Sequence, residues 1–194
     1  MPKSLKLKLQ KIRNHKYKPR DFIIADAKDG DLAMGITTPG PLRDNQGKII
    51  PGFKKLKDYK KAMEVMTKSK LVDIMLMSAS VGESLVEKKI FKDSPVTPAI
   101  RMNDTTDIWL MRNGNYRSTH PRPFRSARID RVSKLVDLGL FSVTFSKNVE
   151  FDLAMLNSYR EFRIESLKYK FSHFLEIFNP PIDIGMSNKE LGDY

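Results

Sequence analysis

The chain has 194 residues, of which 40% are hydrophobic and 30% charged. This size supports one substantial core or two small ones, and the composition is typical of a soluble globular protein. The absence of cysteine excludes disulfides, thiolate metal sites and a cysteine nucleophile. No apolar run has transmembrane length, and the basic amino-terminal segment lacks the apolar core of a secretory signal. We therefore expect a cytoplasmic protein without a membrane partner.

The net charge of +12 has two interpretations. It could serve a polyanionic partner, either nucleic acid or a phosphorylated small molecule. It could instead reflect a lysine-rich, solvated surface. The sequence has no basic strand with stacking aromatic residues, so it disfavours a nucleic-acid groove.

Residues 1–20 form a basic lead-in, with a short helix or flexible segment over 4–16, ahead of a domain over 21–194. The apolar run Phe22 to Ala25 predicts a strand buried on both faces, and a charged turn follows it. Asp58 is a plausible N-cap. Further strands are predicted over 71–77, 96–100, 140–145 and 171–178, helices over 58–70, 81–87, 128–138 and 150–170, long loops over 36–57 and 105–125, and the start of a helix within 183–194.

Strands that alternate with helices predict βαβ units and a parallel sheet. Each predicted strand ends in polar or charged residues, as in α/β proteins that build a site at this edge. The fold class is therefore α/β, a TIM-barrel (β/α)8 type that is incomplete, with about five βα units, because a full barrel needs about 250 residues. We expect the amino-terminal part of a longer barrel or a truncated gene product. A five-stranded open sheet is the alternative.

Two clusters of polar residues are the candidate site. Asp26 is the best general acid or base, although it could also be a buried carboxylate that caps a loop. Lys28 has carboxylate neighbours that favour its charged form, so we expect an ion pair with Asp26 or Asp29, or a phosphate or carbonyl contact, rather than a nucleophile.

The second cluster follows later strands. Arg101, with Asn103 and Asp104, offers a fixed fork for phosphate or carboxylate. Glu176 lies inside an otherwise apolar strand, so it should be paired or functional, and we expect a pair with Arg101 or Lys28. Further candidates at strand ends are Ser78, Ser146 and Asn179. Four acidic residues could bind a metal ion, although their spacing matches no metal-binding motif: Asp29, Asp31, Asp104 and Glu176. Of the histidines, His120 lies near a predicted site and His173 is expected to be structural. We expect no metal and no cofactor.

Five segments resemble a known family: FIIADAKDGDLAMG, VDIMLMSASVGESL, TPAIRMNDTTDIW, STHPRPFRSA and FSHFLEIFNP. They are similar to class I aldolase-like TIM-barrel proteins, related to the deoxyribose-phosphate, tagatose-bisphosphate and DhnA-type fructose-bisphosphate aldolases. The resemblance implies reversible aldol cleavage of a sugar phosphate through a lysine Schiff base. It implies that this lysine lies on a sixth strand, beyond the five found in this chain.

The expected function is therefore an aldolase-like carbon–carbon lyase for a phosphorylated sugar or similar carbonyl compound, incomplete in this chain. The alternative is a non-catalytic or truncated barrel whose basic surface binds nucleic acid or a protein partner. Unpaired sheet edges could also lead to a homo-oligomer. The expected catalytic residues are Asp26, Lys28 and Glu176, and the expected substrate or phosphate contacts are Asp29, Ser78, Arg101, Asn103, Asp104, Ser146 and Asn179.

Overall fold

The computed structural model describes residues 1–103, 119–180 and 182–193, and it alternates strands with helices as predicted. The strands are β1 Ala25–Lys28, β2 Pro41–Arg43, β3 Ile49–Phe53, β4 Ile74–Met77, β5 Thr97–Arg101, β6 Leu138–Thr144 and β7 Ser172–Phe178. The helices are α1 Ser4–Arg13, α2 Asp31–Met34, α3 Leu56–Ser69, α4 Ala79–Glu87, α5 Ile129–Val132, α6 Val149–Lys168 and α7 Asn188–Asp193, with a 3-10 turn at Gly35–Thr37. Within these ranges no helix is both long and apolar enough to cross a membrane.

Five strands form one parallel sheet in the order β1-β4-β5-β6-β7, and β2 and β3 form a separate two-stranded antiparallel sheet. The α/β class with a parallel sheet is thus confirmed, while the barrel type stays a prediction. The chain divides into a first unit, Met1–Ile100 with Leu135–Leu138, and a second unit, Arg101–Lys134 with Gly139–Tyr194.

The prediction for the first strand was wrong in position and burial. β1 begins at Ala25, and the side chains of Phe22 and Ile24 are 63% and 37% exposed. Asp73 explains the position, because its carboxylate accepts a hydrogen bond from the Ile24 N–H at 2.8 Å while the Ile24 carbonyl accepts from the Asp73 N–H at 2.8 Å. β1 is also the first strand in the sheet order, so it has one neighbour rather than two. Edge strands need not be apolar on both faces.

The predicted loop over 36–57 contains the β2–β3 hairpin, so that prediction was wrong. Asp44 sets the turn, because its Oδ1 accepts hydrogen bonds from the backbone N–H groups of Gln46 and Lys48, both at 2.9 Å. Gly47 follows with a φ of 81°, which glycine adopts without strain. The Asp44 to Gly47 turn joins two strands that are too short to show a clear alternation of apolar and polar residues in the sequence.

Helix α3 starts two residues before the predicted 58, so Asp58 is its third residue and not its N-cap. The Asp58 carboxylate accepts a hydrogen bond from the Lys55 N–H at 2.9 Å, which satisfies a donor just ahead of the helix. Tyr59, Met63 and Thr67 form the buried face of α3.

Helix α1 is held to the first unit by lysine side chains. Lys3 Nζ donates to three backbone carbonyls at 2.8–3.0 Å, and Lys8 Nζ lies 2.7 Å from Asp73 Oδ2. Burial lowers the pKa of Lys3. Of the two alternatives for residues 4–16, a short helix or a flexible segment, the structure shows a helix, Ser4–Arg13.

The predicted helix over 128–138 was too long. Only one turn, α5, is helical, and Leu138 already belongs to β6. Gly139 is a buried strand residue, where a Cβ would lie 2.6 Å from the Phe171 ring and 2.8 Å from Met102 Cγ. The close approach of these two side chains requires glycine at this position.

Aromatic side chains form the core between α6 and the strands of the second unit. The Phe141 ring lies 4.7 Å from Phe162 and 5.2 Å from Tyr159, measured between centroids. His173 joins this core through Tyr159, whose hydroxyl is 3.2 Å from Nε2, and burial together with Arg163 lowers the pKa of His173. This placement agrees with a structural role for His173.

Candidate functional site

A row of polar side chains crosses the second unit near the ends of β5, β6 and β7. Arg101 Nη2 donates to Ser142 Oγ at 2.9 Å, and Ser142 Oγ donates to Glu176 Oε2 at 3.0 Å. Arg101 Nη1 lies 3.8 Å from the same Glu176 oxygen. The predicted pairing of Glu176 with Arg101 is therefore confirmed, with Ser142 as a bridge that the sequence interpretation did not include.

Asn103 fixes the geometry of this row. Its side-chain amide donates to the Ser142 carbonyl at 2.8 Å, and its Oδ1 accepts from the Ser142 N–H at 2.7 Å. Both residues are fully buried. The Asn103 side chain therefore binds the backbone of β6, which is a positioning role, whereas the prediction made it a substrate contact.

The Arg101 guanidinium has a defined orientation and limited access to solvent. Its Nε donates to the Asn103 carbonyl at 2.8 Å, and its Cζ lies 5.8 Å from the centroid of the Phe178 ring. The side chain of Arg101 is 12% exposed and that of Glu176 is 39% exposed. A partly desolvated guanidinium can bind an anionic group, and the more accessible carboxylate beside it can transfer a proton.

Ser146 lies in a second polar contact of the same unit. Its Oγ is 3.0 Å from His120 Nδ1 and 3.3 Å from Asp152 Oδ1, and Asp152 also accepts from the Ser146 N–H at 2.8 Å. In a nucleophilic triad the imidazole lies between the hydroxyl and the carboxylate. In this protein the hydroxyl lies between the other two groups, so the arrangement secures the start of α6. Asp152 was missed because a carboxylate in a first helical turn is ordinary.

Asp26 and Lys28 form the predicted ion pair, with Lys28 Nζ 3.0 Å from Asp26 Oδ1. They lie inside β1 and not beyond it. Parallel pairing places them beside Met75 and Met77, and Met77 is paired in turn with Ile100. Ile100 packs against Gly82 of α4. The pair therefore shares the sheet face that α4 covers, and Asp26 Oδ2 is buried without a hydrogen-bond partner in the described residues.

Further carboxylates surround Tyr59 in the first unit. Ser78 Oγ donates to Asp31 Oδ2 at 2.6 Å and also accepts from the Val81 N–H at 3.4 Å, so Ser78 is the N-cap of α4. Burial raises the pKa of Asp31. Burial, with Asp31 and Asp29 nearby, raises the pKa of Tyr59 to about 12. Asp29 itself is buried at 8% exposure.

Replacing Asp31 by asparagine should stabilise the protein at neutral pH. A raised folded-state pKa means that this group contributes its full stability below its unfolded pKa and loses it as pH rises through the folded value. Asparagine keeps an acceptor for Ser78 but cannot ionise. We expect a gain below about 1 kcal/mol at pH 7, since partial exposure screens the charge, and the gain should shrink towards pH 4.

Urea denaturation at both pH values measures this effect. Asp93→Asn, at an exposed carboxylate, is the control and should change little at either pH. A loss of stability in Asp31→Asn at pH 7 would show that the ionised carboxylate stabilises the fold.

Two predicted site residues, Asp104 and Asn179, take part in none of the contacts described above. Asp104 lies outside the described residues, and Asn179 is exposed directly after β7. In residues 1–103, 119–180 and 182–193, no group of three or more acidic or histidine side chains is arranged to hold a metal ion.

A scan of protein-family models and a search of curated proteins both find no match to this chain. The geometry of the polar clusters is therefore what supports a function.

Proposed function

We propose that this chain provides the substrate-binding part of an aldolase-like carbon–carbon lyase that acts on a phosphorylated sugar or a similar carbonyl compound. The observation that carries the proposal is the row formed by Arg101, Ser142 and Glu176. It joins a cation and a carboxylate at the carboxyl end of parallel strands, where α/β proteins commonly bind ligands.

Arg101 is the proposed contact to the substrate phosphate. The Asn103 carbonyl and the Ser142 hydroxyl already hold its guanidinium plane, at 2.8 and 2.9 Å. A cation whose orientation is set before binding loses less conformational freedom when it binds an anion. The planar fork of arginine also matches the geometry of phosphate oxygens.

Glu176 is the proposed acid or base. Aldol cleavage requires a base to take the proton of the hydroxyl group on the carbon that becomes the new carbonyl, while the electrons of the broken bond move to the other fragment. Ser142 and Arg101 both approach Oε2 of Glu176, so Oε1 takes no part in these contacts. The 39% exposure of the side chain leaves a path for substrate.

The imine-forming lysine is a separate requirement. Lys28 is 3.0 Å from Asp26, and an ammonium held by a carboxylate is a poor nucleophile. We therefore assign Lys28 to the ion pair and keep Asp26 as a second acid or base candidate. The family resemblance implies that the imine-forming lysine lies on a sixth strand, so the residues proposed here supply binding and proton transfer and not the imine.

Replacing Arg101 by glutamine should weaken binding of dihydroxyacetone phosphate by about tenfold or more, because a charge-assisted contact to phosphate is lost. Calorimetric titration of the full chain measures this. Arg101→Lys should recover only part of the affinity, since a point charge cannot replace the fork. Arg128→Gln, at a 73% exposed side chain, is the control and should bind normally.

Equal affinity in Arg101→Gln and the wild type would contradict the assignment. Borohydride treatment with dihydroxyacetone phosphate tests the covalent part, and a reduced adduct on Lys28 would overturn its role as an ion-pair residue. Strong, salt-dependent RNA binding that Arg101→Gln leaves unchanged, together with no binding of dihydroxyacetone phosphate, would favour the basic surface as the functional feature.

A further inference from the structure

The first unit has a cleft of about 530 Å³ where the segment after β1 meets the start of α3. This volume is in the range of small-molecule sites, about 300–1,000 Å³. The lining residues that matter for its chemistry are Asp31, Ile36, Thr38, Lys54, Lys55 and Leu56.

Two adjacent lysines give one side of this cleft a positive charge. Their backbones are anchored, because the Lys54 N–H donates to the Gly40 carbonyl at 2.9 Å and the Lys55 N–H donates to Asp58 at 2.9 Å. Both side chains are exposed, so their ammonium groups are accessible to a ligand. Two lysines that line the same cleft favour a ligand with a doubly charged group such as phosphate.

Two residues that line the same cleft each have an oxygen with unmet hydrogen-bonding capacity. Thr38 Oγ1 and Asp31 Oδ1 are buried and have no hydrogen-bond partner in the described residues, although the other Asp31 oxygen binds Ser78. A buried polar atom without a partner costs about 1–3 kcal/mol, so ligand groups that reach it gain from satisfying it. Hydroxyl groups fit this requirement, because they donate to a carboxyl oxygen and exchange hydrogen bonds with threonine.

Apolar side chains complete the lining. Ile36 is 81% exposed and Leu56 is 48% exposed, and both border the cleft. Carbon atoms of a ligand that cover them would remove apolar surface from water.

We propose that this cleft binds a small phosphorylated polyol. The phosphate lies on the two lysines and the carbon chain lies on Ile36. The hydroxyl groups bind Asp31 and Thr38 once side-chain rotation turns their buried oxygens towards the cleft. This site goes beyond the proposed function, because every residue that forms it belongs to the first unit and Arg101 takes no part in it.

Titration of the full chain with glycerol 3-phosphate, glycerol and inorganic phosphate tests this site. Glycerol 3-phosphate should bind more tightly than either fragment. The double variant Lys54→Gln/Lys55→Gln should weaken its binding by about tenfold or more, and Thr38→Val by a smaller factor. The matched control is Lys57→Gln/Lys61→Gln, which removes two exposed lysines of α3 that do not line the cleft and should keep the affinity within about twofold.

The Arg101→Gln variant separates this proposal from the previous one, because it removes the other proposed phosphate contact. In that background, Lys54→Gln/Lys55→Gln should still weaken glycerol 3-phosphate binding by about tenfold or more. Unchanged affinity in Lys54→Gln/Lys55→Gln, or an equal loss in the control pair, would overturn the proposal. So would inorganic phosphate binding as tightly as glycerol 3-phosphate, which would indicate a general anion surface. Loss of all glycerol 3-phosphate binding in Arg101→Gln alone would place the probe at the other site and would also overturn it.

Discussion

Replacing Asp73 by alanine is expected to destabilise the protein by about 3 kcal/mol, since it removes one partner of a buried charged network. The Asp73 carboxylate, 4% exposed, accepts from Lys8 Nζ at 2.7 Å and from the Ile24 N–H at 2.8 Å. The substitution would leave the Ile24 N–H without its acceptor and would release α1 from the start of β4. Denaturation followed by circular dichroism measures the change.

The effect of Asp73 should depend on pH. Burial by itself would raise the pKa of this carboxyl, but the hydrogen bonds from Lys8 and Ile24 outweigh it and hold the pKa below its ordinary value. A depressed folded-state pKa contributes stability above the unfolded pKa, and this stability is lost as pH falls through the folded value. The difference between wild type and Asp73→Ala should therefore shrink below about pH 4.

Two variants serve as references for Asp73. Lys8→Met should cost less than Asp73→Ala, because the backbone N–H of Ile24 would still bind the carboxylate. Asp93→Ala, at an exposed position, should be close to neutral. A change within about 0.5 kcal/mol in Asp73→Ala would contradict the role given to this network.

Replacing Gly139 by alanine is expected to destabilise the protein by about 1–3 kcal/mol through overpacking. The added methyl group would lie within 2.9 Å of two Phe171 ring atoms and 2.8 Å from Met102 Cγ. Phe171 is 5% exposed and Met102 is fully buried, so neither can move away without disturbing the core of the second unit. A lower midpoint of urea denaturation with an unchanged slope would identify a loss of stability.

Gly192→Ala is the matched control for Gly139. It lies in α7, where a Cβ meets nothing within 4 Å, so alanine should be neutral or stabilising by up to about 1 kcal/mol. If the two substitutions gave the same result, the close packing around Gly139 would not limit stability.

The sequence predicted the order of the strands and helices well, since apolar runs and helical periodicity depend on local burial. Boundaries depend on contacts between distant residues, and these were predicted poorly. β1 is shifted because Asp73 binds Ile24, and β6 starts early because Gly139 admits the Phe171 ring. The β2–β3 hairpin was missed because three-residue and five-residue strands show too little alternation.

The candidate site was predictable where a residue type conflicted with its surroundings. Glu176 is a carboxylate within an apolar strand, and this conflict led to the pairing with Arg101 that the structure confirms. Ser142 was missed because a serine within β6 is compatible with many strands, although it bridges the pair. The lysine-lined cleft was missed as well, since most of its residues, including Lys54 and Lys55, fall in the predicted loop over 36–57.

The central claim is that the row of Arg101, Ser142 and Glu176 binds a phosphorylated carbonyl compound. The most direct measurement is a titration of isotopically labelled protein with dihydroxyacetone phosphate, monitored by nuclear magnetic resonance. The account predicts that the Ser142 and Asn103 signals shift with the Arg101 side-chain signal, and that Arg101→Gln abolishes these shifts. Saturating ligand that shifts none of these signals, or that shifts those of Ser142 and Asn103 equally in Arg101→Gln, would contradict it.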